Sequence, residues 1–210
     1  MTTIFWAGDS TVQYNDILTF PQTGIGQVMN LFLKPEVRVE NHAKNGRSTK
    51  SFIDESRLTP IYDKITAGDF LFIQFGHNDE KKNDPQRYTD PHSDYMVNLE
   101  KFVNAARNKG AWPVFITPLE RRCFIDEEHL DIGEHTDYVA AMKQTAENLN
   151  VPLIDLYSMS RTEMRKAGAA GRCLSVSYGR ADRQYASEIY GCRCLCRMYC
   201  ERFKRTWRYL

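Results

Sequence analysis

Three short loops carry the residues with chemical potential: Gly8-Asp9-Ser10-Thr11, Asn45-Gly46-Arg47-Ser48 and Gly76-His77-Asn78-Asp79. A serine hydroxyl is a weak nucleophile. It needs a base to take its proton and donors aimed at the oxygen that becomes negative. Ser10 offers the hydroxyl and its own backbone N–H. Gly46 can bring a second N–H close, because no Cβ stands in the way. Asn78 offers a side-chain amide as a third donor. Together these are the parts for attacking an ester carbonyl and holding the oxyanion that results. Taken singly, each loop has a plainer reading: Gly-Asp-Ser fits a turn or a helix N-cap, and Asn78-Asp79 fits a loop cap. The order of all three, each after an apolar run, favours the chemistry.

Strand-like apolar runs supply the frame: Ile4 to Ala7, Val37 to Val39, Phe70 to Phe75, Pro113 to Thr117 and Val151 to Asp155. Between them lie segments with helical spacing. Gly26 to Phe32 is short, and Ser51 to Ile65 reads as two short helices broken at Pro60. Ser93 to Lys109 and Thr136 to Leu149 each carry an apolar stripe. Near-continuously apolar strands alternating with helices predict an α/β fold with a parallel sheet covered on both faces. Sites in such sheets lie beyond the carboxyl ends of the strands, where Ser10, Gly46 and Asn78 all fall. Two polar loops leave the same end, Glu80 to Pro91 and Glu120 to Glu134, and are expected to form a substrate rim. His77 is the one imidazole that this reading puts near Ser10.

The net charge of +1 over 210 residues argues against a dedicated nucleic-acid binder or a membrane-surface protein. No run of 18 apolar residues is present, so no membrane span is expected. Met1 is followed at once by the first strand, without a leader-like stretch, and a cytoplasmic protein is the expectation. Cys123 is the one cysteine before residue 170, as in a reduced protein, whereas five cysteines fall between Cys173 and Cys200.

The stretches FWAGDSTVQ, PQTGIGQ, NHAKNGRSTKSFIDE, FLFIQFGHNDEKK, RYTDP and VPLIDLY resemble the SGNH, or GDSL-type, hydrolases, and within them the rhamnogalacturonan acetylesterase-like branch. The resemblance runs from about residue 3 to residue 168. It implies a flavodoxin-like three-layer α/β/α sandwich with a central parallel sheet. It also implies ester hydrolysis, most often removal of acetyl groups from pectin- or xylan-type carbohydrates, with no cofactor and no metal. By position Ser10 corresponds to the nucleophile, and Gly46 and Asn78 to oxyanion-hole donors. Asp9 is expected to shape the nucleophile turn. Arg47, Ser48 and His77 are expected to support the loops or contact sugar, so Asp9, Arg47 and His77 are candidate substrate-binding positions. Ile25 departs from the resemblance, standing where the family commonly has an aromatic residue. Two other readings stay open: a lipase or thioesterase of the same fold, and a glycan-binding protein that no longer cleaves. Polar loops around the site favour sugar over a long acyl chain.

The resemblance stops where a base is required. The family's last motif is Asp-x-x-His, with the histidine as base and the aspartate orienting it. Ala169 to Leu210 contains no histidine, and the nearest imitation is Asp182-Arg183-Gln184-Tyr185. A phenol with a pKa near 10 is a poor base at neutral pH. The chain therefore reads as a hydrolase domain over 1–170 and an atypical tail over 171–210. Eight arginines and one lysine against three acids give the tail a charge of +6. Its Cys192-Arg193-Cys194-Leu195-Cys196 run has neither helical nor strand logic, and its cysteine spacing is not that of a common zinc module. A one-nucleotide frameshift near residue 170 accounts for it. Codons chosen for Asp182 to Glu188 and read one base later encode T-D-N-T-H-L, which contains the missing motif. On this reading the chain keeps nucleophile and oxyanion donors and lacks its base.

Overall fold

A computed structural model describes residues 2–16, 18, 23–121, 123–126, 129–130 and 135–167. The tail 171–210, the boundary at residue 170 and the frameshift reading lie outside the described residues.

All five apolar runs form strands: β1 (Thr2–Gly8), β2 (Val37–Asn41), β3 (Phe70–Gln74), β4 (Trp112–Ile116) and β5 (Leu153–Ile154). They pair in parallel in the order β2-β1-β3-β4-β5. This is the flavodoxin-like order, in which the chain winds one way from β1 to β2 and the other way from β3 onward. Alternation along the strands splits the core in two. Ile4, Trp6, Phe70 and Phe72 face one side, with Met29, Leu156 and Met164. Phe5, Ala7, Leu71 and Ile73 face the other, with Phe52, Tyr95, Phe102 and Met142. The expected three layers are thus present. Helices α1 (Thr49–Asp54), α2 (Thr59–Lys64), α3 (Asp94–Arg107) and α4 (Thr136–Leu149) contribute to the second face. The first is packed by two 3₁₀ turns and α5 (Leu156–Ala167). Among the described residues no helix is long and apolar enough to cross a membrane.

Two local expectations are corrected, and one element is new. The segment from Gly26 to Phe32 is not one helix but two 3₁₀ turns, Ile25–Gln27 and Met29–Phe32. It cannot move outward into a wider helix, because Ile25 N and Gly26 N donate to Thr11 O and Val12 O of the loop after β1. The break between α1 and α2 falls before Pro60, at the left-handed Ser56 (φ 55°). Pro60 lies inside the first turn of α2, where its missing N–H would have had no helical partner. Helix α5 went unpredicted: Leu156, Met164 and the half-buried Met159 give it a sparse apolar stripe among charges.

The contact between the first 3₁₀ turn and the loop after β1 is close. A Cβ at Gly24 would stand 2.1 Å from Gln13 O and 2.5 Å from the Val12 carbonyl carbon. Gly24→Ala is therefore expected to destabilise the fold by about 1–3 kcal/mol, since only backbone can yield. A thermal-unfolding midpoint unchanged from wild type would contradict this packing.

Candidate active site

The order of the sheet brings the sequence-predicted residues to one place. β1 lies between β2 and β3, so the three loops that follow these strands emerge side by side. Ser10 stands two residues past β1, half-buried, in a turn closed by Val12 N and Gln13 N on Asp9 O (3.1 and 3.0 Å). Asp9 is buried. Its Oδ1 accepts from the Thr11 N–H (2.9 Å) and the Thr11 hydroxyl (2.7 Å). Gln74 at the end of β3 donates to the same hydroxyl (3.1 Å), which ties the serine turn to the next strand.

The Gly46 loop runs beside that turn. His42 N donates to Trp6 O (2.9 Å) and Lys44 N to Gly8 O (3.0 Å). Gly46 itself has φ +77°, a region that side-chain-bearing residues seldom occupy. The bend lets Ser48 begin α1 at once: Ser48 Oγ accepts from Ser51 N, and Ser51 Oγ accepts from Ser48 N. Gly46 is half-buried, and its N–H donates to nothing among the described residues.

Asn78 closes the arrangement from the β3 side. Its Nδ2 donates to Arg47 O (3.1 Å), and its Oδ1 accepts from Arg87 Nη1 (3.4 Å). That guanidinium nitrogen is 3.8 Å from where a Cβ on Gly46 would sit. Asn78 is buried, and one of its two amide hydrogens remains after the bond to Arg47. Arg47 is half-buried and braced, through Nη1 on Asn45 O (2.9 Å) and Nε on Glu55 (3.0 Å).

His77 is buried 2% exposed, and its Nε2 donates to the Leu119 carbonyl (2.7 Å). Its Nδ1 is 3.5 Å from Asp9 Oδ2. Both ring nitrogens and the Asp9 carboxylate thus point into the protein, joining the loops after β1, β3 and β4. His77 is not alone at this end of the sheet. His135 is fully buried beside it, ring centroids 5.6 Å apart.

His135 belongs to an ionic cluster that sequence reading missed. Its Nε2 is 3.3 Å from Glu120 Oε1 and its Nδ1 is 3.9 Å from Glu80 Oε2. Arg161 pairs with Glu120, and Arg121 pairs with Glu80 while donating to His77 O (3.2 Å). Burial raises the Glu120 carboxyl, but the hydrogen bonds and charges of His135 and Arg161 prevail and hold it below the usual range. Among the described residues no group of three His, Cys, Asp or Glu side chains is set to hold a metal ion.

Asp79 is fully buried as well. Thr49 N, Thr49 Oγ1 and Thr89 Oγ1 all donate to it, binding the start of α1 and the far end of the long loop to the β3 motif. Tyr138 of α4 donates to Asp79 O (3.0 Å) and Thr89 O (2.6 Å). Outside this knot, residues 80–87 and Arg121 line a cleft of about 840 Å³ that opens next to Arg87.

A sequence model of the GDSL-like Lipase/Acylhydrolase family matches residues 7–172, and the chain belongs to that family. Two Bacillus subtilis (strain 168) proteins are similar to about three quarters of the chain. One, named Probable rhamnogalacturonan acetylesterase YesY, is 46% identical over 158 residues, which is 75% of this chain and 71% of that protein. The other, Rhamnogalacturonan acetylesterase RhgT, is 45% identical over 160 residues, 75% of this chain and 66% of that protein. Among solved structures, the Bacillus subtilis protein YXIM superposes with a TM-score of 0.80 at 24% identity, over 98% of this chain and 56% of its own.

Burial pushes the Asp79 carboxyl up to about 7, against the pull of its hydrogen bonds to Thr49 and Thr89. The native state then holds a proton that the unfolded chain releases near its ordinary value of 3.8. Stability from this group is present at low pH and is lost as the pH rises toward 7, by up to about 4 kcal/mol. Asp79→Asn is expected to abolish that slope, and urea unfolding midpoints at about pH 4.5 and about pH 7.5 measure it. An equal pH dependence in both proteins would refute it.

Proposed function

We propose that this end of the sheet is an esterase site that removes O-acetyl groups from carbohydrate by way of Ser10. The Ser10 Oγ attacks the acetyl carbonyl carbon, and the sugar hydroxyl leaves with a proton. Water then releases acetate from the acetyl-serine. The oxyanion is held by the N–H groups of Ser10 and Gly46 and by the remaining amide hydrogen of Asn78. The observation that carries this reading is the half-buried Gly46 at a left-handed bend, whose N–H donates to nothing among the described residues, next to an Asn78 fixed by Arg47 O. The names of the two Bacillus relatives support acetyl ester on a pectin-type sugar as the substrate. Polar and charged lining of the adjacent cleft supports sugar over a long acyl chain.

Proton transfer is the weak link of the site. His77 spends its Nε2 on a backbone carbonyl, and residues 169–210 hold no histidine. Loss of one triad member costs on the order of a millionfold in turnover. The chain is therefore expected to hydrolyse 4-nitrophenyl acetate barely above its own Ser10→Ala variant. A chain whose tail is rewritten in the shifted frame is expected to regain a Ser10-dependent rate. Strong turnover by the chain as it stands, lost in Ser10→Ala, would overturn the missing-base account while upholding the serine. The missing histidine also favours a second reading, a protein that binds acetylated glycan without cleaving it; binding without acetate release in calorimetry would select it.

A further inference from the structure

The end of the sheet opposite the serine loops carries a hollow that ester hydrolysis leaves unused. β4 begins there at Trp112, and the strand puts about 15 Å between this residue and the loop after Ile116. Eight residues around Trp112 line a volume of about 700 Å³. Trp112 is 51% exposed, whereas tryptophan is highly buried on average. Pro113, Val151 and Pro152 add apolar residues to the same lining. The backbone around them is fixed. Trp112 N donates to Asp69 O (2.8 Å), Val151 N to Ala146 O (2.8 Å) and Phe115 N to Pro152 O (2.9 Å). Arg107, at the end of α3, reaches the end of α4, where its Nη2 donates to Leu149 O (2.7 Å) and Asn150 O (3.3 Å). Among the described residues its Nε and Nη1 make no hydrogen bond, and Arg107 enters no ion pair. Asn150 follows α4 in the left-handed conformation (φ 49°), and its side-chain amide has no hydrogen-bond partner among the described residues.

The lining describes its ligand. An exposed indole and two prolines offer apolar surface, while Arg107 offers N–H donors and Asn150 an amide that both donates and accepts. No carboxylate and no lysine line the hollow among the described residues. An alkyl chain would cover the indole but displace water from the guanidinium and the amide without replacing its hydrogen bonds. A stable protein interface takes about 20–30 residues a side, and eight line this hollow. A pyranose ring has one face of C–H bonds and an edge of hydroxyls that donate and accept, so it meets both kinds of surface at once. We propose that this hollow is a second carbohydrate-binding site, in which a pyranose unit of a polysaccharide stacks on Trp112 and hydrogen-bonds to Arg107 and Asn150. The choice of carbohydrate rests on the reading above, in which the serine end of the sheet acts on a sugar polymer. A polymer held at both ends of the sheet is bound more tightly than at either alone, with no further contact needed.

The test is calorimetric titration of the full chain with xylohexaose and with a deacetylated rhamnogalacturonan hexasaccharide, neither of which carries an ester. At least one is expected to bind with a Kd on the order of 1 mM. Trp112→Ala is expected to weaken that binding by about tenfold or more, and Trp112→Phe by no more than about threefold, since a ring remains to stack on. Asn150→Gly keeps the left-handed backbone and removes the amide. It is expected to weaken binding severalfold while the thermal midpoint holds. Failure of both oligosaccharides to bind at about 10 mM would overturn the second site, as would binding that Trp112→Ala leaves unchanged. Decanoate bound at Trp112 as tightly as the sugar would overturn the assignment to carbohydrate. A concentration-dependent dimer in light scattering that Trp112→Ala dissolves would overturn it in favour of a second copy of the chain. Hydrolysis of 4-nitrophenyl acetate, too small to reach both ends, is expected to be equal in Trp112→Ala and wild type, whatever its rate. The esterase reading therefore stands or falls on Ser10, and the second site on Trp112.

Discussion

The buried Asp79 carboxylate is the constraint on which the arrangement of the site depends. It is fully desolvated, and desolvation of a carboxylate is expensive unless donors replace its water. Here the donors come from Thr49 and Thr89. Thr49 opens the helix whose cap, Ser48, ends the Gly46 loop, and Thr89 ends the long loop that carries Arg87. One acid thus fixes the Gly46 loop, the Asn78 loop and the wall of the cleft relative to one another. Tyr138 secures the knot from α4 by donating to the two backbone carbonyls at its ends. Removing a donor would leave the buried carboxyl group with unmet hydrogen-bonding capacity, which weakens the whole set.

The second constraint is the strand order. In a sheet wound as β2-β1-β3-β4-β5, β1 is the only strand with both β2 and β3 as neighbours. Register does the rest. Gly8 pairs with Gln74 and Trp6 with Asn41, so the chain leaves all three strands at similar height. Loops separated by more than 30 residues in sequence therefore leave the sheet side by side. Short loops on rigid strands hold hydrogen-bond donors in place before any charge develops, which is the condition for strong electrostatic stabilisation.

Much of this was legible in the sequence because the signals were local. Apolar runs ending in glycine loops gave the five strands and put Ser10, Gly46 and Asn78 at one end of them. Asp9 was expected to shape its turn, and its bonds to Thr11 do so. What stayed hidden was non-local. Glu80, Glu120, His135 and Arg161 are spread over 82 residues and look like the charges of solvated loops. Nothing in their spacing says that they meet in one buried cluster with Arg121 beside His77. The 3₁₀ turns were misread as a helix because periodicity cannot report that Gly26 N is already committed to Val12 O. Helix α5 escaped because its apolar residues are few and its burial comes from the other face of the sheet.

The separation of these two kinds of information bears on how such a site can lose a part. The nucleophile turn, the Gly46 bend and the Asn78 loop are held by one another, through Lys44 on Gly8, Asn78 on Arg47, Thr11 on Gln74 and Thr49 on Asp79. The ionic cluster around His135 is likewise built from Glu80, Glu120, Arg121 and Arg161. Among the described residues, the serine turn, the Gly46 bend and the Asn78 loop therefore brace one another directly. On the esterase reading proposed above, these contacts fix the loops that hold the donors, and a base that takes the Ser10 proton is a separate requirement of the site, so binding and turnover are properties that experiment can measure apart.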